Sequence, residues 1–122
     1  MIERAWAEDF ARDWIESWNS HDLERVLAHY ADDFEMTSPL IVQRLGVVSG
    51  KLKGKDAVRP YWAQGLASAP DLHFKLLDVI VGVNSVAIAY ESATQGRTVV
   101  EYIEFDEQKR GVRAEALHGP VR

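Results

Sequence analysis

VAIAYESATQGRTVVEYIEF, Val86 to Phe105, alternates in character on both sides of a glycine turn. Val86, Ile88 and Tyr90 recur at every second residue before Gln95-Gly96, and Val99, Ile103 and Phe105 line up the same way after it. That is the period of a half-buried strand pair. With Gln95 and Gly96 as a hairpin loop, Thr94 faces Arg97, Ile88 faces Ile103 and Tyr90 faces Glu101.

The same reading extends outward. Upstream, "LHFKLLDVIVGV" is joined through Asn84 and Ser85, which sets Val83 opposite Val86 and Val79 opposite Tyr90. Downstream, "VRAEALH" follows the loop Asp106 to Gly111, setting Phe105 opposite Val112 and Glu101 opposite Ala116. The result is an antiparallel meander. Its three hairpins agree on one apolar face that includes Val81 and Ala114 and carries two polar intruders, Glu101 and His118. An ionised carboxylate among apolar side chains costs several kcal/mol unless paired, so Glu101 is expected to have a raised pKa or a partner. His118 lies diagonally across the last hairpin, roughly 7 to 8 Å away between backbones. It is the expected partner, with small Ala114 and Ala116 leaving room for a ligand. A self-satisfied structural pair and a functional site both fit this pattern.

The N-terminal third has the helical period instead. Trp6, Phe10, Trp14 and Trp18 recur every fourth residue with Ala7, Ala11 and Ile15 beside them. Asn19, Ser20 and Asp22 supply stop and cap chemistry, and Leu23, Val26, Leu27 and Tyr30 predict a second helix ending on the tyrosine. "HYADDFEMTSP", His29 to Pro39, then reads as a helix end, an acidic turn at Asp32 and Asp33, and a strand stopped by proline. "LIVQRLGVVSGKLKG" reads as a loop or short strands covering a cavity. A third helix is expected from about Asp56 to Leu66, starting late or bending because Pro60 fits only near a first turn. Helices first and a sheet afterwards define an α+β fold, three N-terminal helices on one face of a curved, mainly antiparallel sheet.

Composition narrows the function classes. A chain of 122 residues, 47% hydrophobic and 27% charged with four Trp, fits one globular domain over residues 1–122. A net charge of -5 and a pI near 5.3, with no dense run of Lys and Arg, argue against nucleic acid. No apolar run approaches the roughly 18 residues of a membrane span, and "MIERAWAEDF" is charged where a signal peptide is apolar, so a cytoplasmic location is expected. With no cysteine, disulfides, thiolate catalysis and most zinc sites are excluded. No glycine-rich phosphate loop, nucleophile elbow or zinc signature is present, so neither metal nor cofactor is expected. His21 and His29, eight residues apart, read as solvated; His73 shares the inner parity at the far end of its strand.

"WNSHDLERVLAHYADDFEMTSP", the glycine-led "GKDAVRPYW" and a meander ending "EALHG" together resemble the nuclear transport factor 2-like superfamily over nearly the whole chain. The resemblance is closest to its SnoaL-like group, which includes polyketide cyclases and has ketosteroid isomerases as cousins. It implies a cone in which helices and curved sheet enclose a pocket, and a homodimer through the outer sheet face, where Tyr102, Glu104, Arg113 and Leu117 lie. Laid on this chain, the isomerases' catalytic aspartate falls at Ser38 and their oxyanion tyrosine at Trp14. Their supporting tyrosines fall at Tyr30 and Trp62, their protonated aspartate at Glu101, and a pocket-lining position at His118. A serine hydroxyl without a neighbouring base cannot abstract a proton from carbon as a carboxylate does, so their usual isomerisation route is not expected. SnoaL-like cyclases use an acid and often a histidine on the inner sheet, roles open to Glu101 and His118. Trp14, Tyr30, Met36, Ser38, Trp62 and Tyr90 are then the expected binding residues. An isomerase, cyclase or hydratase acting on a small apolar, oxygenated molecule is the first expectation. A non-catalytic binding protein and a dimeric interaction module are the alternatives.

Overall fold

The computed structural model describes residues 1–122. Helix α1, Arg4–Asn19, buries the expected stripe: Ala7, Phe10, Ala11, Trp14, Ile15 and Trp18 all face inward. Asn19 closes it by a two-way clamp. Its amide donates to the Phe74 carbonyl at 2.9 Å and accepts from the Phe74 N–H at 2.7 Å, fixing the end of α1 to the sheet. Helix α2, Leu23–Leu27, begins where the Asp22 side chain accepts from the Arg25 N–H.

The second helix is shorter than its periodicity suggests. Tyr30 does not end it but opens strand β1, Tyr30–Thr37. Tyr30 pairs with Gly111 in a parallel ladder, and the Gly111 N–H donates to the His29 carbonyl at 2.9 Å, so the sheet takes backbone that the helical pattern claims. Asp32 and Asp33 consequently sit exposed within a strand, at a register shift between Tyr30 and Glu35, rather than in a helix-ending turn.

In the stretch after Pro39 expected to be loop or short strands, the first half is a helix and only Lys51–Lys53 is a short strand. Helix α3, Pro39–Leu45, has Ser38 as N-cap, its Oγ accepting from the Leu40 N–H at 3.2 Å, and stops at Gly46, which has a left-handed φ of 68°. Proline tolerates the first helical position because its missing N–H would be unpaired there, and glycine enters the left-handed region without steric cost. The proline that looks like the end of a strand is thus also the start of a helix. Strand β2, Lys51–Lys53, pairs with β1, and helix α4, Lys55–Ser68, follows. Pro60 lies inside α4, which starts at Lys55 rather than late; the proline is on the exposed side, where water can take the carbonyl it leaves unpaired.

Strands β3 (Phe74–Val81), β4 (Ser85–Ser92), β5 (Arg97–Phe105) and β6 (Gly111–His118) form the expected meander. The six strands run in the order β2-β1-β6-β5-β4-β3, antiparallel except for β1 with β6. This is the expected α+β architecture, with four helices instead of three.

Two hairpins differ from expectation in register. Ser92 pairs with Arg97 and Val81 with Val86, so the loops are residues 93–96 and 82–85 rather than the shorter turns. Pairing shifts by two: Ile88 faces Glu101, Tyr90 faces Val99, and Val79 faces Ile88. On β4, β5 and the second half of β3 the even shift leaves each side chain on its original face, because side chains alternate with period two. A bulge between Leu76 and Asp78 adds one more residue, so Leu76 faces Tyr90, Phe74 turns inward and His73 loses the inner parity expected of it. Val83, now in the loop, is exposed. In the last hairpin Glu101 faces Ala116 as expected, but an irregularity at Glu104 sets Phe105 against Gly111 instead of Val112. The core lies between α1, α4 and the inner sheet face, with Trp14, Tyr30, Phe34, Ile88 and Ile103 fully enclosed.

Candidate functional site

Alternation along β5 sends Val99, Glu101, Ile103 and Phe105 to the inner face. There the helices leave a cavity of about 400 Å³. Trp14 and Trp18 from α1, Trp62 from α4, and Phe74 and Tyr90 from the sheet form its aromatic wall. The rings lock one another. Trp18 meets Trp62 edge-on with centroids 5.1 Å apart, and Phe74 lies 4.3 Å from Tyr90. Offset and edge-on pairs of this kind hold a wall rigid.

Glu101 is the carboxyl in this wall. It is only 3% exposed, and its Oε2 has no hydrogen-bond partner within the chain. Burial alone pushes its pKa from the ordinary 4.5 up to about 8, because a low-dielectric setting penalises the charged form. Nearby phenols register the same carboxyl: burial first, and the Glu101 charge second, push the hydroxyls of Tyr30 and Tyr90 well above their usual range. The carboxyl is therefore predominantly protonated at neutral pH.

His118 shares the cavity but has another partner. Its Nδ1 accepts from Arg97 Nη1 at 2.8 Å. Burial first and the Arg97 charge second hold its pKa below the ordinary 6.5. The expected Glu101–His118 hydrogen bond is not formed; the imidazole turns to the guanidinium at the start of β5, and the carboxyl is left unpaired.

Trp14, Met36, Ser38, Trp62 and Tyr90 all line the cavity together with Glu101 and His118. Tyr30 does not reach it. Its hydroxyl lies behind the wall and accepts from Trp14 Nε1 at 2.9 Å, holding that indole in place. Ser38 reaches the cavity, but its Oγ is engaged in capping α3. Ala116 is at the cavity surface, whereas Ala114 is packed in the core. Sequence reasoning missed Arg44 and Tyr61, which border the mouth, because Arg44 sits on the unrecognised α3. It also missed Gln95 and Arg97, whose only signal was their place beside the turn that sets the register. Gln95 Oε1 and Trp18 Nε1 are buried on the cavity wall without partners.

The other histidines lie elsewhere. His29 is not solvated: its Nε2 meets Asp13 at 2.7 Å and its Nδ1 the Val26 carbonyl at 3.0 Å, with only 9% of the side chain exposed. His21, at a φ of 61°, reaches the Leu72 carbonyl through Nε2 at 2.9 Å. His73 is exposed and outside the cavity. No three His, Asp or Glu side chains gather into a metal-ligand set. No helix is long and apolar enough to cross a membrane.

Comparison with known proteins places this geometry among relatives. The SnoaL-like domain family matches residues 11–115. A SnoaL-like protein of unknown function from Burkholderia thailandensis is 47% identical, with a TM-score of 0.94 over 98% of each chain. At 16% identity the fold is shared with AclR, a putative hydroxylase from Streptomyces galilaeus, with a TM-score of 0.73 over 96% of this chain and 91% of that one. SalBIII, an epoxide hydrolase/cyclase-like enzyme in pyran ring formation in the polyether salinomycin, shares it at 11% identity, with a TM-score of 0.75 over 98% and 95%. No curated protein matches the chain.

Proposed function

The chain belongs to the SnoaL-like family, and we propose that it is a small-molecule enzyme that uses Glu101 for general acid–base chemistry on an apolar, oxygenated substrate. One observation supports this above the rest: a carboxyl on the wall of an aromatic cavity, without a partner, whose pKa is raised to about 8. Acid–base catalysis is most effective when the catalytic pKa lies near the working pH. At neutral pH Glu101 donates a proton to a carbonyl or leaving oxygen; in its ionised fraction it removes one from carbon. The transferred proton stays within the cavity, so the same group can return it at a second carbon. Isomerisation, aldol-type cyclisation and hydration all consist of such steps. The reading is in keeping with the fold's occurrence in SalBIII, an epoxide hydrolase/cyclase-like enzyme, and in a putative ketosteroid isomerase from Kribbella flavida.

The aromatic wall stacks a flat or alicyclic ring, and His118 polarises its carbonyl. No step requires a cofactor. For assembly, the same reading takes a homodimer through the outer face of the sheet, where Ile80 and Leu117 are about half exposed and Glu104 is bridged to Arg113 at 2.8 Å. A cytoplasmic location accompanies it.

The test is proton exchange. Aromatic and alicyclic ketones in D2O are followed by NMR for deuterium uptake next to the carbonyl. The protein is expected to accelerate exchange, and Glu101→Gln to lower the rate by about 10² or more while leaving ketone binding intact. Binding without exchange in both proteins would favour a non-catalytic ligand carrier.

A further inference from the structure

Arg97 opens β5 beside the 93–96 loop, and His118 ends β6; β5 and β6 are paired so that Val99 faces His118. The contact between the two side chains has only one chemical reading. A guanidinium has five N–H donors, no acceptor, and keeps its proton at any ordinary pH. At 2.8 Å from Arg97 Nη1, His118 Nδ1 must therefore present its lone pair. A neutral imidazole carries one proton, so that proton is on Nε2. Doubly protonated imidazolium is disfavoured twice, by burial and by the adjacent Arg97 charge.

We propose that Arg97 is a positioning residue that locks His118 as an Nε2–H donor, so that the cavity takes its ligand through a bare acceptor oxygen, such as a ketone or quinone carbonyl or the enolate formed from it. Three features converge. His118 and Glu101 both line the cavity, from adjacent diagonal positions on one sheet face. Glu101, predominantly protonated, offers a second donor there. The contact with His118 is the one hydrogen bond that the Arg97 side chain makes within the chain, and its Nε is buried without a partner. The other charged groups of the cavity are Arg44 at the mouth and Asp71 in the connection from α4 to β3. Neither contributes to the depressed pKa of His118, whose causes are burial and Arg97. The inference rests on the acid–base reading of the same cavity and adds the polarity of the ligand atom, an acceptor without a proton of its own.

Two measurements test it. Long-range 1H–15N spectra of histidine-labelled protein, with His118→Asn used for assignment, read the tautomer directly. The expected result is an Nε2–H tautomer with bare Nδ1 from pH 6 to 8. Arg97→Met should give mixed tautomers and raise the titration midpoint, since the Arg97 charge is removed while burial still holds it below the ordinary value, whereas Arg97→Lys, which retains a donor, should keep the Nε2–H form. A proton on Nδ1 in the unmodified protein, or spectra unchanged by Arg97→Met, overturns the lock. The second measurement compares 9-fluorenone with fluorene, the same rings with and without a carbonyl, by quenching of tryptophan fluorescence. Fluorenone should bind more tightly, and Arg97→Met should weaken it by roughly five- to tenfold, the worth of one hydrogen bond, leaving fluorene within about twofold. Equal weakening of both, or no preference for the ketone in the unmodified protein, overturns the ligand class. Failure of the acid–base reading shows separately: Glu101→Gln would then retain proton exchange while the His118 tautomer stays as stated.

Discussion

Replacing Glu101 with glutamine keeps the outline of the side chain and removes its ability to ionise, which turns a buried carboxyl into a measurable pH dependence of stability. In the folded protein the group titrates at about 8, against an ordinary value of 4.5. The folded state therefore holds a proton that the unfolded chain releases between those values. Stability from this group is fully present below pH 4.5, falls as pH rises toward 8, and is lost beyond it. At ~1.36 kcal/mol per pKa unit the whole loss is about 5 kcal/mol, of which about 3 kcal/mol is already spent at pH 7. Glutamine has no such loss. Glu101→Gln is expected to match the parent protein near pH 4, exceed it by about 3 kcal/mol at pH 7, and exceed it by about 5 kcal/mol at pH 9. The pH 7 gain corresponds to a rise in Tm of roughly 10 °C for a domain of this size. Urea denaturation at pH 4, 5.5, 7 and 9 reads the difference, and subtracting the two curves cancels every other titrating group, His118 included. A difference that does not change with pH, as for a solvated carboxyl, or one that falls as pH rises, as for a carboxylate paired with a cation, would refute the reasoning.

Tyr30→Phe leaves Trp14 Nε1 without its acceptor and should cost about 1–3 kcal/mol in urea denaturation, as an orphaned buried donor does. Gly111→Ala sets a methyl 2.7 Å from Tyr30 Cδ1 and 3.1 Å from Ile103 Cγ2; overpacking there should lower stability by about 1–3 kcal/mol, read from the Tm. Ser38→Ala removes the α3 cap and should cost about 1 kcal/mol, while the titration of Glu101 stays where it was, because the serine acts on the helix and not on the carboxyl.

The inner face of the sheet was legible because its information is parity, and parity survives a wrong loop length. Both misjudged hairpins are off by two beside their turns, so Glu101 keeps its face although it pairs with Ile88 rather than Tyr90, and His118 follows from the β5–β6 pairing, which the turn length gives correctly; parity fails only beyond the bulge at Leu76 and Asp78 in β3. The helices were less legible. Tyr30 fits the helical period after Leu27 and was lost to it, since nothing local announces that Gly111, far along the chain, pairs with it. Leu40 to Leu45 looked like a loop because glycines surround it, yet Ser38-Pro39 and Gly46 are start and stop signals of a short helix. The partner of His118 is hidden for a different reason: opposite Val99, it lies diagonally from both Glu101 and Arg97, and the strand pairing by itself does not choose between them.

The carboxyl carbon of Glu101 gives the most direct reading of all. In protein labelled with 13C at the glutamate side-chain carboxyl, the resonance missing from Glu101→Gln is followed from pH 3 to 10. A midpoint near 8 is expected for a carboxyl sealed in the aromatic cavity without a partner; a midpoint near 4.5 would contradict it and remove the acid–base role with it.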